Sequence, residues 1–528
     1  MAASLLVLLA VGAAVAPAAD AYRVLGMFPF NGRSHNIMFK ATMEALADRG
    51  HQVVQFSPFP QKKPRANYTD VDLSGQFPSL VNTLTFEQMT SFERFHIVEL
   101  ISSFSGPELC RAVFASQDFR DVMDGKYGKF DVVFTEIFGS DCWTVVAHKL
   151  QVPLISIATT PDFAWMHGRV GSPDNPAYLV VNNEPVAGRL TFPQRVVNVF
   201  MYILNNLKFK YYIEWPSDTV VREFFGADTP SLSELTSRTS LILVNNHVSL
   251  NPARPVPPNV VHVGGIHLKD LRVDRTGAGL EPGLRAWMDG AEHGVIFFTM
   301  GSLVRTSSLP SATIQGLIRA FAAVPQRVLW KYESDDIAPL LSDNVRTASW
   351  MPQTDILAHP KTVLFITHGG LMGTTEAVVL GVPMLGIPLF ADQFPNVALY
   401  QSLGIAESVD HRDITEATVL AAIKKLTATD EYRVRAQQIA ARFVDRPQSA
   451  AEAAVWWTEY VVRHRGAKHL RPIGADLPLY QYLLLDVVAV ALAAAAAALL
   501  LLRALLRALL PLPSSTSPSS TQKKSKTQ

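Results

Sequence analysis

The sequence predicts an α/β protein: two doubly wound parallel sheets facing one cleft, followed by a C-terminal transmembrane helix. Three observations carry this. Short, continuously apolar runs alternate with helix-period segments in two separate series, and strands apolar throughout read as parallel strands covered on both faces. A glycine-rich turn, Thr367-His368-Gly369-Gly370, joins one such run to a helix, and ligands bind at that edge of a doubly wound sheet. Residues 480–502 are nearly all apolar, enough to cross a hydrocarbon core of about 30 Å.

Residues 1–21 read as a secretory signal peptide, an apolar run from Leu5 to Val15 followed by small residues that fit a small-x-small cleavage site, with no basic residue ahead. The first series spans residues 22–270. Residues 22–28 are a strand, a helix starts near Asn36 with Met38, Met43 and Leu46 inward, and residues 52–56 are the second strand. Between 59 and 128 the pattern is mixed, aromatic and expected to be helical. Asp70-Val71-Asp72 spells D-x-D but lies in a polar segment, so it is expected to be a solvated loop rather than a metal motif. Strands follow at 131–135, 152–158, 240–244 and 260–263, with a helix at 142–150. The amphipathic, aromatic-rich stretch 198–215 could be core, pocket wall or membrane contact, with core favoured.

Segments 252–258 and 270–282 connect to a second series, residues 284–465. Its strands are 295–300, 327–331, 345–348, 363–366 and 384–387. A helix from about Met372 to Leu380 is closed by Gly381 and Pro383. Helices are read at 414–426 and 430–443, and 456–465 is expected to pack back across the first domain. The transmembrane helix is 480–502. The tail, 503–528, carries Arg503, Arg507, Lys523, Lys524 and Lys526, which places it in the cytosol and the bulk of the chain on the far side.

The 528 residues leave room for two or three domains, and a net charge of +1 gives no nucleic-acid footprint. The two cysteines, Cys110 and Cys142, could pair in an oxidising compartment, which the sequence does not decide, and they show no metal-ligand spacing. Asn67-Tyr68-Thr69 is a glycosylation sequon available to a lumenal chain.

The stretch Phe365 to Gln393 carries the chemistry. Strand, glycine turn and helix N-terminus make an anion site from unpaired N–H groups and the helix dipole. Glu376, one turn into the helix, could hold ribose hydroxyls, and Asp392 and Gln393 those of a sugar. The whole resembles the signature of the UDP-glycosyltransferase family (UDP-glucuronosyl/UDP-glucosyltransferase), and specifically an insect-like, membrane-bound member.

That resemblance implies the GT-B arrangement, with an acceptor-binding N-terminal domain and a UDP-sugar-binding C-terminal domain. It implies inverting transfer of a hexose from a UDP-sugar, UDP-glucose favoured and UDP-glucuronate the alternative, to a hydroxyl of a small lipophilic acceptor, as in detoxification. No cofactor or metal is implied, and a homo-oligomer stays open. His35, after the first strand, matches the catalytic base; a free imidazole titrates near about 6.5 and is neutral at pH 7. Its acid partner is Glu136, as in vertebrate members, or Asp141, as in insect ones, with Asp141 favoured. Ser302, His368 and the N–H groups near Gly370 and Gly373 match the diphosphate seat. Trp350, opening Trp-Met-Pro-Gln, matches the uracil platform, with Gln353 beside it. Met372 departs from the usual Asn, so that side-chain donor is missing. Phe163, Trp165 and Met166 could help line the acceptor pocket, although residues of this kind more often belong to a core. Lys524 and Lys526 resemble a dilysine retrieval signal, implying the endoplasmic reticulum membrane, single-pass, with lumenal catalytic domains. A non-catalytic sugar-nucleotide binder would keep Glu376 and Gln393 but lack a base with its acid.

Overall fold

Two all-parallel sheets organise the chain as far as Pro472. The computed structural model describes residues 21–91, 94–160, 163–181, 184–268 and 279–510. The first sheet contains β1 (Arg23–Met27), β2 (Gln52–Ser57), β3 (Tyr68–Asp72), β4 (Val132–Glu136), β5 (Leu154–Ala158), β6 (Thr239–Val244) and β7 (Val260–His262), ordered β3-β2-β1-β4-β5-β6-β7. The second contains β8 (Val295–Thr299), β9 (Arg327–Lys331), β10 (Val345–Ala348), β11 (Thr362–Thr367), β12 (Met384–Gly386) and β13 (Ala406–Ser408), ordered β10-β9-β8-β11-β12-β13. In each sheet the order reverses once, between β1 and β4 and between β8 and β11. Crevices open at the carboxyl ends of the strands there. The central strands β4, β5 and β8 are buried at every residue, as their apolar runs require.

Helix α1 (Arg33–Asp48) follows β1 and buries Met38, Phe39, Met43 and Leu46 against the first sheet. Two expectations need correction here. Asp70-Val71-Asp72 is not a loop: it lies in β3, the edge strand paired with β2, where polar side chains protect an edge. The stretch 198–215 is not simply core. Helix α2 (Phe192–Phe209) runs through a π-helical turn at Lys210–Glu214. It exposes Phe192 (70%), Leu207 (61%) and Trp215 (60%), while its buried face uses Asn198 and Asn205. Asn198 is polar and inward because it ties down a loop, accepting from Val181 N–H and donating to the Pro176 and Leu179 carbonyls.

Chain position does not assign each segment to the nearer sheet. Phe86, Met89 and Leu100 belong to the core around the second sheet, and Leu84 bridges to Val304. Conversely, α4 below packs on the first. The nine-residue and longer helices needed here are α3 (Leu371–Leu380) and α4 (Ala450–Arg463). Ala453, Ala454 and Val461 of α4 join the core with Val24 and Phe39, and Glu459 receives His51 at 3.2 Å, so the return across the first sheet is real. Cys110 and Cys142 form a disulfide with Cα atoms 6.1 Å apart.

Residues 473–528 form a separate unit. Among the described residues one helix, α5 (Leu485–Leu509), is long and apolar enough to cross a membrane. It starts and ends later than expected, taking in Arg503 and Arg507, because Ala, Leu and Arg are all strong helix formers. The signal peptide through Asp20 and the Lys523, Lys524 and Lys526 cluster lie outside the described residues.

Candidate active site

The reversal point of the first sheet carries a histidine–carboxylate pair. β1 delivers the chain to the carboxyl edge, α1 begins, and His35 stands in its first turn. The adjacent strand β4 ends in Glu136. His35 Nδ1 lies 2.5 Å from Glu136 Oε1. Thr159, just past β5, places its hydroxyl 3.0 Å from Nδ1 and 2.9 Å from Oε1. A carboxylate only accepts, so Nδ1–H donates to Glu136, the threonine hydroxyl donates beside it, and Nε2 keeps its lone pair. Phe30 and Phe138 pack edge-on against the ring at 4.9 and 4.6 Å.

Asp141, the favoured acid, is not at this pair. Arg169 grips it through both oxygens, at 2.5 and 2.7 Å, and both residues are buried. The reason is local: Glu136 ends a strand at the sheet edge, whereas by Asp141 the chain has turned toward the helix Thr144–Leu150 and its carbonyl accepts from Thr144.

The second sheet supplies the opposing wall. At its reversal point β8 leads into Gly301-Ser302 and β11 into His368. Gly301 has φ +83°, and a Cβ there would lie 2.5 Å from His368 Cε1, so the two turns meet only with glycine. Gly369 has φ +88° and swings the chain into α3, whose N-cap is Gly370. Ser302, His368, Gly370 and Gly373 all border the cleft. Gln353 donates to Glu376 at 2.9 Å, and His267 approaches the other oxygen at 3.7 Å. Trp350 is half exposed at the cleft. Met372 accepts from Asn245 of the first sheet's lobe at 3.2 Å, so an asparagine does approach this point, from across the cleft. Gln393 accepts from the Leu389 and Phe390 N–H groups, and Asp392 receives Asn396 at 3.0 Å. Desolvation pushes the Asp392 carboxyl up, against the hydrogen bond from Asn396.

Two cavities meet here. One, about 410 Å³, runs between the lobes and touches His35, Trp350, His368, Glu376, Asp392 and Gln393. The other, about 100 Å³, is walled by apolar groups including Phe138, Phe163 and Trp165. His35, Ser34, Thr160 and Asp392 border both. Met166 does not line either; it is buried with Val98 and Phe209.

The model for the family described as "UDP-glucoronosyl and UDP-glucosyl transferase" matches residues 8–508. The chain belongs to this family. It is 38% identical over 486 residues to UDP-glucosyltransferase 2 of Dactylopius coccus, covering 92% of each chain. It is 32% identical over 475 residues to UDP-glucuronosyltransferase 2B15 of Rattus norvegicus, covering 86% of this chain and 87% of the relative. In fold it is similar to Phytolacca americana UGT2, solved with UDP-2fluoro-glucose and pterostilbene (TM-score 0.55, 18% identity, 84% of this chain and 100% of that one). The architecture is therefore GT-B, and the chain is a UDP-glycosyltransferase that moves a sugar from a UDP-sugar to an acceptor.

Sequence reasoning missed Thr159, Arg33, Asn245 and His267. Thr159 carried a usable signal, a hydroxyl directly after a fully buried strand. The other three are defined by contacts across the chain, which no local pattern reports.

Buried histidines make this enzyme acid-sensitive. Desolvation, with Lys331 nearby, pushes His368 down to about 4. Burial, with Arg446 and His262 adding to it, does the same to His247, also to about 4. Their folded pKa lies below the unfolded value near about 6.5, so below that pH the unfolded chain binds protons the folded chain refuses. This stability is complete above about pH 6.5 and is lost as pH falls toward 4. His247→Gln is expected to flatten the fall in unfolding free energy between pH 7 and 5, read from denaturant titrations, by up to about 1.4 kcal/mol per pH unit. An unchanged slope contradicts it.

Proposed function

We propose that the chain is an inverting hexosyltransferase that uses UDP-glucose and conjugates a hydroxyl of a small lipophilic acceptor. The observation that carries this is the His35–Glu136 pair at the junction of an apolar cavity and the inter-lobe cleft. In this reading the acceptor sits in the apolar cavity and its O–H proton passes to His35 Nε2. The oxygen bonds to the anomeric carbon as the bond from that carbon to the phosphate oxygen breaks, and UDP leaves. One displacement from the face opposite UDP inverts the centre. The imidazolium is stabilised by Glu136.

On the donor side, Trp350 and Gln353 receive the uracil, Glu376 the ribose, Asp392 and Gln393 the hexose. Ser302, His368 and the N–H groups of Gly370 and Gly373 hold the diphosphate, where charge develops as the bond breaks. Glucose is favoured over glucuronate by the higher identity to a relative named a glucosyltransferase. The disulfide, the sequon at Asn67 and the apolar helix α5 support a lumenal catalytic region anchored in the endoplasmic reticulum membrane.

The test is a panel of UDP-sugars against lipophilic phenols and alcohols in microsomes, with released UDP measured. UDP-glucose is expected to exceed UDP-glucuronate by at least about tenfold, a difference of about 1.4 kcal/mol in transition-state binding. The reverse order would reassign the donor.

A further inference from the structure

Arg33 opens α1 two residues before His35 and borders the inter-lobe cleft. Its guanidinium carbon lies 4.2 Å from the ring centroid of Trp350, which belongs to the opposite lobe. Among the described residues it has no carboxylate partner and no hydrogen-bond acceptor, although it is half-buried and desolvation pushes its pKa down. Its five N–H donors are therefore left to solvent, and the aromatic face of Trp350 is the protein contact that holds the guanidinium. Lys331 is the informative contrast. It lies 5.9 Å from the same ring, but Glu333 and Asn82 hold its ammonium at 2.8 and 2.9 Å. One cation beside Trp350 is neutralised, and the other is held in reserve.

We propose that Arg33 is a donor-binding residue with two alternative seats, the face of Trp350 and the diphosphate of the nucleotide. A pyrimidine stacked on Trp350 needs the ring area that the guanidinium covers. Base and guanidinium therefore compete for the ring, and the displaced fork, still in the cleft, meets the diphosphate, for which its planar geometry is suited. Occupying the platform and recruiting a cation from the acceptor lobe become one event, at the residue that leads into His35. The inference rests on the reading of Trp350 as the base platform.

The two seats predict opposite effects on two probes. The full-length chain in detergent is titrated calorimetrically with UDP and with uridine. Arg33→Gln is expected to weaken UDP binding by about ten- to a hundredfold, the loss of a charged hydrogen-bond pair, and to tighten uridine binding by about two- to fivefold, because the ring is no longer contested. Arg33→Lys keeps the charge and loses the stacking fork, so UDP binding falls less than in Arg33→Gln while uridine still tightens. Unchanged UDP affinity in Arg33→Gln, or UDP and uridine shifting together by one factor, overturns the two-seat account. Trp350→Ala separates the levels: wild-type uridine affinity in that variant would remove the platform and this inference with it, whereas lost uridine binding with Arg33 variants unchanged removes this inference alone.

Discussion

Replacing His35 by alanine is expected to lower kcat by about 10²–10⁴-fold while UDP affinity stays within about twofold. The split follows from geometry. His35 comes from the first sheet's lobe, with Nδ1 at Glu136 and Thr159, whereas Trp350, Gln353, Ser302, His368 and Glu376, assigned to the nucleotide, come from the second. An acceptor hydroxyl near neutral pH is a weak nucleophile, so losing the base removes a transition-state interaction and little ground-state binding. Turnover within about tenfold of wild type would end the assignment.

The second large effect separates the two acids. Glu136→Gln should cost about 10²-fold or more in kcat, because the amide cannot hold Nδ1–H with a charge or stabilise the imidazolium. Its thermal unfolding should change little by comparison. Asp141→Asn breaks a buried pair and leaves the Arg169 guanidinium uncompensated, a cost of about 3–5 kcal/mol in stability. The fraction that folds should retain near-normal kcat. Activity per folded molecule, normalised by UDP-binding sites, reads the difference. A larger kcat loss in Asp141→Asn than in Glu136→Gln would return the role to Asp141.

The contrast between these carboxylates shows what the sequence could and could not reveal. Both follow the same strand, and chain distance alone does not say which turns inward at the sheet edge. The partner that decides it, Arg169, is remote and carries no motif. The cleft wall from Thr367 to Gly373 was more legible, because strand, glycine turn and helix lie in one continuous stretch whose order dictates where N–H groups point. The strands were read well for a related reason: a parallel strand buried on both faces must be apolar throughout. β3 escaped because an edge strand is polar where it faces water, and Asp70-Val71-Asp72 then looks like a loop. Helix α2 was hard to read because large apolar residues such as Phe192 and Leu207 face outward, while Asn198 turns inward beside Met201 and Phe209 to bond loop carbonyls. The crossing of Phe86 and Met89 into the second core was invisible because burial patterns do not name the sheet they face.

The claim on which the rest depends is that the two lobes meet across one reaction centre. A crystal structure of the full chain with UDP and a lipophilic phenol tests it directly. The account predicts the diphosphate at the Gly370 and Gly373 N–H groups and the phenol oxygen within about 3 Å of His35 Nε2, or one water away. A diphosphate bound elsewhere, or a phenol oxygen out of reach of that nitrogen, would contradict it.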